Sequence, residues 1–248
     1  MGYTEIVRKM IKEANVVLEV IDARFPVQSR NTEMENFVKH NGKKLLIVIN
    51  KSDLVGKKQA ERIKKTINEK SVFVSALKKK GGSRLRTEIM GLAQGEKAKV
   101  GIIGYPNTGK SSVINMLKGR KNALTSPTAG FTKGTQFVRI NKQVMLIDSP
   151  GVIPLQQNDE TLMALLSSKN PQQLKDLEGT GIEVAQILID NDPGQIEKVY
   201  GVKATDGEEL LEKLAIAKKR LLKAGKPDLN AAATILIVDF QNGKIRLK

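Results

Sequence analysis

Residues Gly104-Tyr-Pro-Asn-Thr-Gly-Lys-Ser111 restrict the possible folds of this chain more than any other stretch. They follow an apolar run at residues 100–103 and precede a helix-compatible stretch at residues 112–118. A glycine loop ending in Gly-Lys-Ser between a strand and a helix is a P-loop. Its backbone N–H groups and the start of the following helix surround a phosphate chain. In this reading Asn107, Thr108, Gly109 and Ser112 line the cradle. Lys110 reaches the outer phosphates, and the Ser111 hydroxyl ligates Mg²⁺.

Similar strand ends occur upstream. Residues 16–23 form a nearly continuous β-branched run, as in a strand buried on both faces. Pro26, in Asp22-Ala-Arg-Phe-Pro26, stops its extension. Ligands of open α/β sheets lie beyond the carboxyl ends of strands, so Asp22 and Arg24 stand near the functional edge. The alternative is an Asp–Arg pair that only anchors the loop. Residues 44–49 form a second strand, ending in Asn50-Lys-Ser-Asp53. A fixed carboxylate at Asp53 accepts hydrogen bonds from N1–H and the 2-amino group of guanine, and adenine offers neither donor. Asn50 then holds the loop and the Lys51 stem covers the ring; the competing reading is a helix N-cap by Ser52 or Asp53. After a basic helix at residues 57–70 and a strand at 71–74, Ser75-Ala76-Leu77 fits a loop whose backbone N–H reaches guanine O6. Residues 78–82 read as a mobile basic loop. Helices are also expected at residues 4–14, 32–40 and 85–93.

Downstream of the P-loop, residues 125–136 are polar, interrupted by Pro127, Gly130 and Gly134, and contain Thr128, Thr132 and Thr135. Such a loop fits a switch that closes on Mg²⁺ and the γ-phosphate, with Thr132 the favoured ligand. Strands at residues 137–140 and 144–147 pair through Asn141-Lys-Gln, and the second ends at Asp148-Ser-Pro-Gly151. There Asp148 holds the Mg²⁺ shell and the Gly151 N–H senses the γ-phosphate.

These motifs come in rotated order: the guanine loops precede the phosphate loop. With Asp-Ala-Arg-x-Pro-x-x-Ser-Arg-Asn at residues 22–31, the chain resembles the circularly permuted GTPases of the ribosome-assembly (YlqF/RbgA) family. The resemblance covers the first 154 residues and extends more loosely to Lys226-Pro-Asp-Leu-Asn-Ala-Ala-Ala233. Ala129 stands where relatives usually carry Pro before Gly-x-Thr. The resemblance implies an α/β fold: a permuted P-loop GTPase domain with a doubly wound, mostly parallel six-stranded sheet over residues 1–156. A small helical domain over residues 157–248 follows, with helices expected at 160–168, 181–189, 196–200, 208–222 and 229–240. It further implies GTP and GDP binding with Mg²⁺, and a role in maturing the large ribosomal subunit or its precursor through rRNA. Permutation places the exit to the second domain just past the Asp148–Gly151 switch, so the C-terminal segment is the expected lever.

Charge agrees with an RNA partner. The net +16 divides into +17 over residues 1–154, −8 over 155–212 and +7 over 213–248. Basic surfaces suit polyanions. With nine aromatics and no Trp, contacts to phosphates rather than to bases are expected, and these are salt-sensitive. Lys218, Lys219, Arg220, Lys244, Arg246 and Lys248 form the terminal basic group, whereas Asp176, Glu178 and Glu183 are expected on an acidic face. No apolar run reaches membrane-spanning length, and no signal-peptide core or cysteine is present. A cytoplasmic monomer is expected.

Catalysis is the open point. Many GTPases orient the attacking water with a Gln after Asp-x-x-Gly, but Val152 stands there. His40, the one histidine, lies on a helix that reads as exposed. Lys110, Thr132 and Gly151 remain to serve the transition state, and slow unaided hydrolysis is expected. Asn107 is similar to the asparagine with which potassium-activated GTPases bind K⁺, which would stabilise transition-state charge. The competing readings are a GTPase of another RNA process, such as tRNA modification or translation, a P-loop kinase, and an RNA scaffold with a vestigial nucleotide site.

Overall fold

The computed structural model describes residues 3–119, 137–147 and 159–245. Its elements are α1 (Tyr3–Glu13), β1 (Val16–Asp22), α2 (Thr32–His40), β2 (Lys44–Asn50), α3 (Lys57–Thr66), β3 (Ser71–Phe73), α4 (Gly82–Ala93) and β4 (Ala98–Ile103). Then come α5 (Lys110–Lys118), β5 (Phe137–Arg139) and β6 (Val144–Ile147). Helices α6 (Glu160–Leu165), α7 (Leu177–Asn191), α8 (Pro193–Tyr200), α9 (Gly207–Ala217) and α10 (Leu229–Gln241) follow. Two compact units emerge: Met1–Asp53 with Ala60–Pro154, and Leu54–Gln59 with Leu155–Lys248.

In the first unit six strands form one sheet in the order β3-β2-β1-β4-β6-β5. All neighbours are parallel except β5, which runs antiparallel to β6 at the edge. Every residue of β1 is buried, as a central strand covered on both faces requires. Its alternate side chains serve opposite faces. Val16, Leu18 and Val20 pack with Leu85 and Ile89 of α4 and with Val113 and Leu117 of α5. Val17 packs with Val7, Met10 and Ile11 of α1 and with Met34 and Val38 of α2. This is the doubly wound arrangement, and its parallel strands aim their carboxyl ends at one edge.

Three helices stop earlier than their periodicity predicts, α6 among them: it ends at Leu165 rather than 168, with Ser167 at φ 58°. α3 ends at Thr66 rather than 70, because the Lys70 carbonyl accepts a hydrogen bond from Ile47 N (3.0 Å), so the chain there is already extended beside β2. α9 ends at Ala217 rather than 222. Lys219 turns to φ 54°, while Lys219 N bonds Ile216 O (3.0 Å) and Arg220 N bonds Ala215 O (2.8 Å). That pair of bonds is a Schellman cap, formed here without glycine. Residues 78–82, expected to be loose, begin inside a closed turn: Ser75 and Lys80 exchange both backbone hydrogen bonds, at 3.1 and 3.0 Å.

The second unit is helical. Helix α7 packs against both α9 and α10. Gly181 is required there, because a Cβ would lie 2.4 Å from the Cβ of Ala233. Each of the five helices begins at an aspartate cap (Asp159, Asp176, Asp192, Asp206 and Asp228), whose carboxylate accepts a first-turn N–H. Part of the acidic charge of this stretch thus serves helix starts: Asp176 is a cap, and Glu183 accepts from Thr161 Oγ1, while Asp176, Glu178 and Glu183 are all exposed. No helix among the described residues is long and apolar enough to cross a membrane.

Candidate nucleotide site

The turn between β4 and α5 depends on two glycines. Gly104 (φ 141°) lies so near β1 that a Cβ would meet Val20 O at 2.4 Å. Gly109 (φ 97°) would put a Cβ 2.1 Å from Asn50 Nδ2. α5 then starts at Lys110 without a side-chain N-cap, so no cap side chain competes for its first-turn N–H groups, which point toward the loop. Thr108 Oγ1 donates to Tyr105 O (3.0 Å) and braces the turn. Asn107, at φ 60°, is exposed, as are Ser111 and Ser112 at the start of α5.

Lys110 is folded onto its own loop. Its Nζ donates to Gly104 O (3.0 Å) and Tyr105 O (2.6 Å). Burial pushes its pKa down to about 8. Carbonyl dipoles only partly replace water around an ammonium, so a phosphate arriving here meets a cation short of a counter-charge.

The base-side loop reaches the same place from β2. Asn50, nearly buried, donates Nδ2–H to Thr108 O (2.8 Å) and accepts Ala76 N–H at Oδ1 (3.1 Å). One side chain thus joins the phosphate loop, the loop after β2 and the turn after β3. Ser52 N bonds Val74 O (3.1 Å), adding a backbone link between the last two. Asp53 accepts the Ser75 hydroxyl (2.6 Å), and Ser75 Oγ also accepts Lys78 N–H (3.3 Å). Asp53 is therefore oriented across the loop. The Ser-Ala turn differs from expectation in one respect: the Ala76 N–H is engaged by Asn50 rather than left for a base. Leu77 is exposed beside it.

Asp22 and Arg24, whose role the sequence left open, form a fully buried pair at the tip of β1, with Arg24 Nη2 2.8 Å from Asp22 Oδ2. Lys51 Nζ also donates to Asp22 Oδ2 (2.8 Å). Burial opposes the carboxylate charge, but the Arg24 bonds and the Lys51 charge hold its pKa below the ordinary value. The parallel register pairs Asp22 with Asn50, which accounts for the meeting. A second cluster was not foreseen. Glu19 on β1 is fully buried near Glu35 of α2, and Arg30 forks onto Glu35 at 2.7 and 2.6 Å. His40 is exposed on α2, with Nδ1 2.8 Å from Asn36 O. Thr132, Asp148 and Gly151 lie outside the described residues, as do Thr128, Ala129, Thr135, Val152, Arg246 and Lys248.

Comparison with known proteins agrees with this geometry. The family model described as RsgA GTPase matches residues 6–158, and that of the 50S ribosome-binding GTPases matches residues 99–222. An uncharacterized GTP-binding protein of Methanocaldococcus jannaschii is 39% identical over 97% of this chain. Nucleolar GTP-binding protein 2 of Neurospora crassa is 34% identical over 96%. The chain spans 65% and 40% of the length of these two relatives. In fold it is similar to GNP-bound YlqF from T. maritima, at a TM-score of 0.68 and 22% identity, covering 98% of this chain and 94% of that one. GDP-bound YlqF gives 0.70 at 22%, covering 97% and 96%. The fold is that of a circularly permuted P-loop GTPase.

Proposed function

Since this chain belongs to the RsgA GTPase family, we propose that it binds GTP and GDP, hydrolyses GTP slowly when alone, and assists assembly of the large ribosomal subunit through rRNA. The observation that carries the nucleotide reading is the double bond set of Asn50, which ties the phosphate loop to both base-side loops at one edge of the sheet. Phosphates would occupy the Gly104–Lys110 cradle, where Lys110 exchanges its carbonyl partners for phosphate oxygens. Guanine would lie against residues 50–53 and 75–77, with Asp53 reading N1–H and the 2-amino group. Ser111 would hold Mg²⁺, with Thr132 and Asp148 completing its shell; when bound, the ion supplies neutralisation of phosphate charge. Thr132 and Gly151 would close on the γ-phosphate, and Asn107 would hold K⁺.

The RNA reading rests on the turn between α9 and α10. Every residue from 216 to 226 is exposed, and the stretch holds Lys218, Lys219, Arg220, Lys223 and Lys226 without one acid. It is a shaped surface: Leu222 N bonds Lys226 O (2.8 Å) and Asp228 N bonds Arg220 O (2.9 Å). Such a turn offers several cations to phosphates at little ordering cost. The relative named nucleolar GTP-binding protein 2 and the family model described as 50S ribosome-binding GTPase support a ribosomal partner. Residues 157–248 would then act as an RNA-contacting domain moved by the second switch, in a cytoplasmic monomer.

The test is the GTP hydrolysis rate with and without purified large ribosomal subunits, in KCl and in NaCl. Stimulation by large subunits, and faster turnover in KCl, is the expected result. A rate unchanged by large subunits would overturn the ribosomal assignment, and equal rates in the two salts would remove K⁺.

A further inference from the structure

The buried Asp22 carboxylate accepts four donors. Oδ1 takes Arg24 N–H (3.0 Å) and Nε–H (3.1 Å); Oδ2 takes Arg24 Nη2 (2.8 Å) and Lys51 Nζ (2.8 Å). An Asp–Arg pair would suffice to anchor the loop at residues 22–29, where Ser29 Oγ already accepts Asp22 N–H (3.0 Å) and donates to Phe25 O (2.6 Å). The lysine bond is extra to that task.

Lys51 itself is held in an unusual state. Its φ is 58°, a conformation that costs a residue with a Cβ on the order of 1 kcal/mol and persists only where surroundings enforce it. The side chain is four-fifths buried, and burial lowers the lysine pKa despite the neighbouring Asp22. A long, flexible cation has thus been fixed with its ammonium on Asp22 at the tip of β1. Asp53, by contrast, is oriented from the other side by Ser75.

We propose that Asp22 is a positioning residue for Lys51: by anchoring the ammonium it sets how tightly the site holds a purine nucleotide. Base discrimination is left to Asp53 and Ser75. This rests on the nucleotide reading above. It separates two tasks of one loop, since a methylene stem lying on a ring favours any purine equally, whereas a carboxylate facing a 2-amino group does not.

The test is a double-mutant cycle on the full chain, reading dissociation constants for GDP and for IDP, which lacks the 2-amino group. Asp22→Asn should weaken GDP about tenfold, and IDP by the same factor. Lys51→Met, which keeps the stem but not the charge, should weaken both to a similar degree. Adding Asp22→Asn to Lys51→Met should then cost no more than about twofold, the non-additivity expected when one residue acts through the other. Ser75→Ala should change the GDP-to-IDP ratio where the other variants do not. A full Asp22→Asn loss persisting in the Lys51→Met background would overturn the proposal, as would a ratio that collapses in Asp22→Asn. If Asp22→Asn alone does not fold, comparing Lys51→Met with the double variant still decides, because one cation rather than two then surrounds Asn at position 22. A wild-type chain that binds neither nucleotide would instead overturn the nucleotide reading itself.

Discussion

Lys110 and Glu19 show what burial does to ionisable residues of opposite sign. Lys110 titrates near 8 in the folded chain, against about 10.4 for a free lysine. Between these values the unfolded chain binds more protons, so the nucleotide-free protein should gain stability as pH rises across that window. Phosphate restores the charge, so GDP binding should take up a proton near and above pH 8 and weaken as pH rises. Calorimetry in two buffers of different ionisation enthalpy at pH 8.5 checks this: a binding enthalpy independent of buffer would contradict it. Glu19 shifts the other way. Burial first, then the Glu35 charge, raises its pKa well above the ordinary value, although Asn31 N donates to Oε1 at 2.6 Å. The sign is therefore reversed: its contribution is fully present below the unfolded pKa and is lost as pH rises through the folded one. Glu19→Gln keeps an acceptor for Asn31 and removes the charge. It should stabilise the protein by about 1–2 kcal/mol at neutral pH and flatten the fall in urea midpoint between pH 5 and pH 8. An unaltered pH slope would contradict the assignment of the effect to Glu19.

Helix ends decide most element boundaries in this protein. α5 presents its start to the phosphate loop, and its other end is finished by Arg86 of α4, which donates to Met116 O (2.9 Å) and Leu117 O (3.0 Å). A guanidinium at a helix C-terminus satisfies carbonyls that the helix cannot and opposes the negative pole of its dipole. Arg86→Ala should therefore cost about 1–3 kcal/mol in urea unfolding while leaving GDP affinity within about twofold. A large loss of affinity would show instead that α4 orients the cradle. In the helical unit an aspartate caps each described α-helix, a role that composition does not show because a cap and a solvated carboxylate look alike until backbone geometry is known. Apolar periodicity announced α9 but ran on into Leu221 and Leu222, both half-exposed, since hydrophobic pattern does not register a left-handed residue such as Lys219.

At the scale of the whole chain, Asp53 ends the first unit's leading segment and Leu54 begins a piece that belongs to the second, which resumes at Leu155. If the α9–α10 turn meets RNA, replacing Lys218, Arg220 and Lys223 by Ser should reduce the slope of log affinity against log salt by roughly 2–3 for a double-stranded rRNA fragment. An unchanged slope by fluorescence anisotropy would move the contact elsewhere. What the amino-acid order determined alone was the set of strand tips, because a glycine loop and buried apolar runs are local features. That is why the mostly parallel sheet, the cradle at Gly104–Ser111 and the loop at Asn50–Asp53 were legible beforehand. Only the tertiary structure decided which tip meets which. Asn50 reaches Thr108, 58 positions away, and Lys51 reaches Asp22, 29 positions away, because β1 lies between β2 and β4 in parallel register. Strand order is a property of packing both sheet faces at once, and no window of sequence contains it.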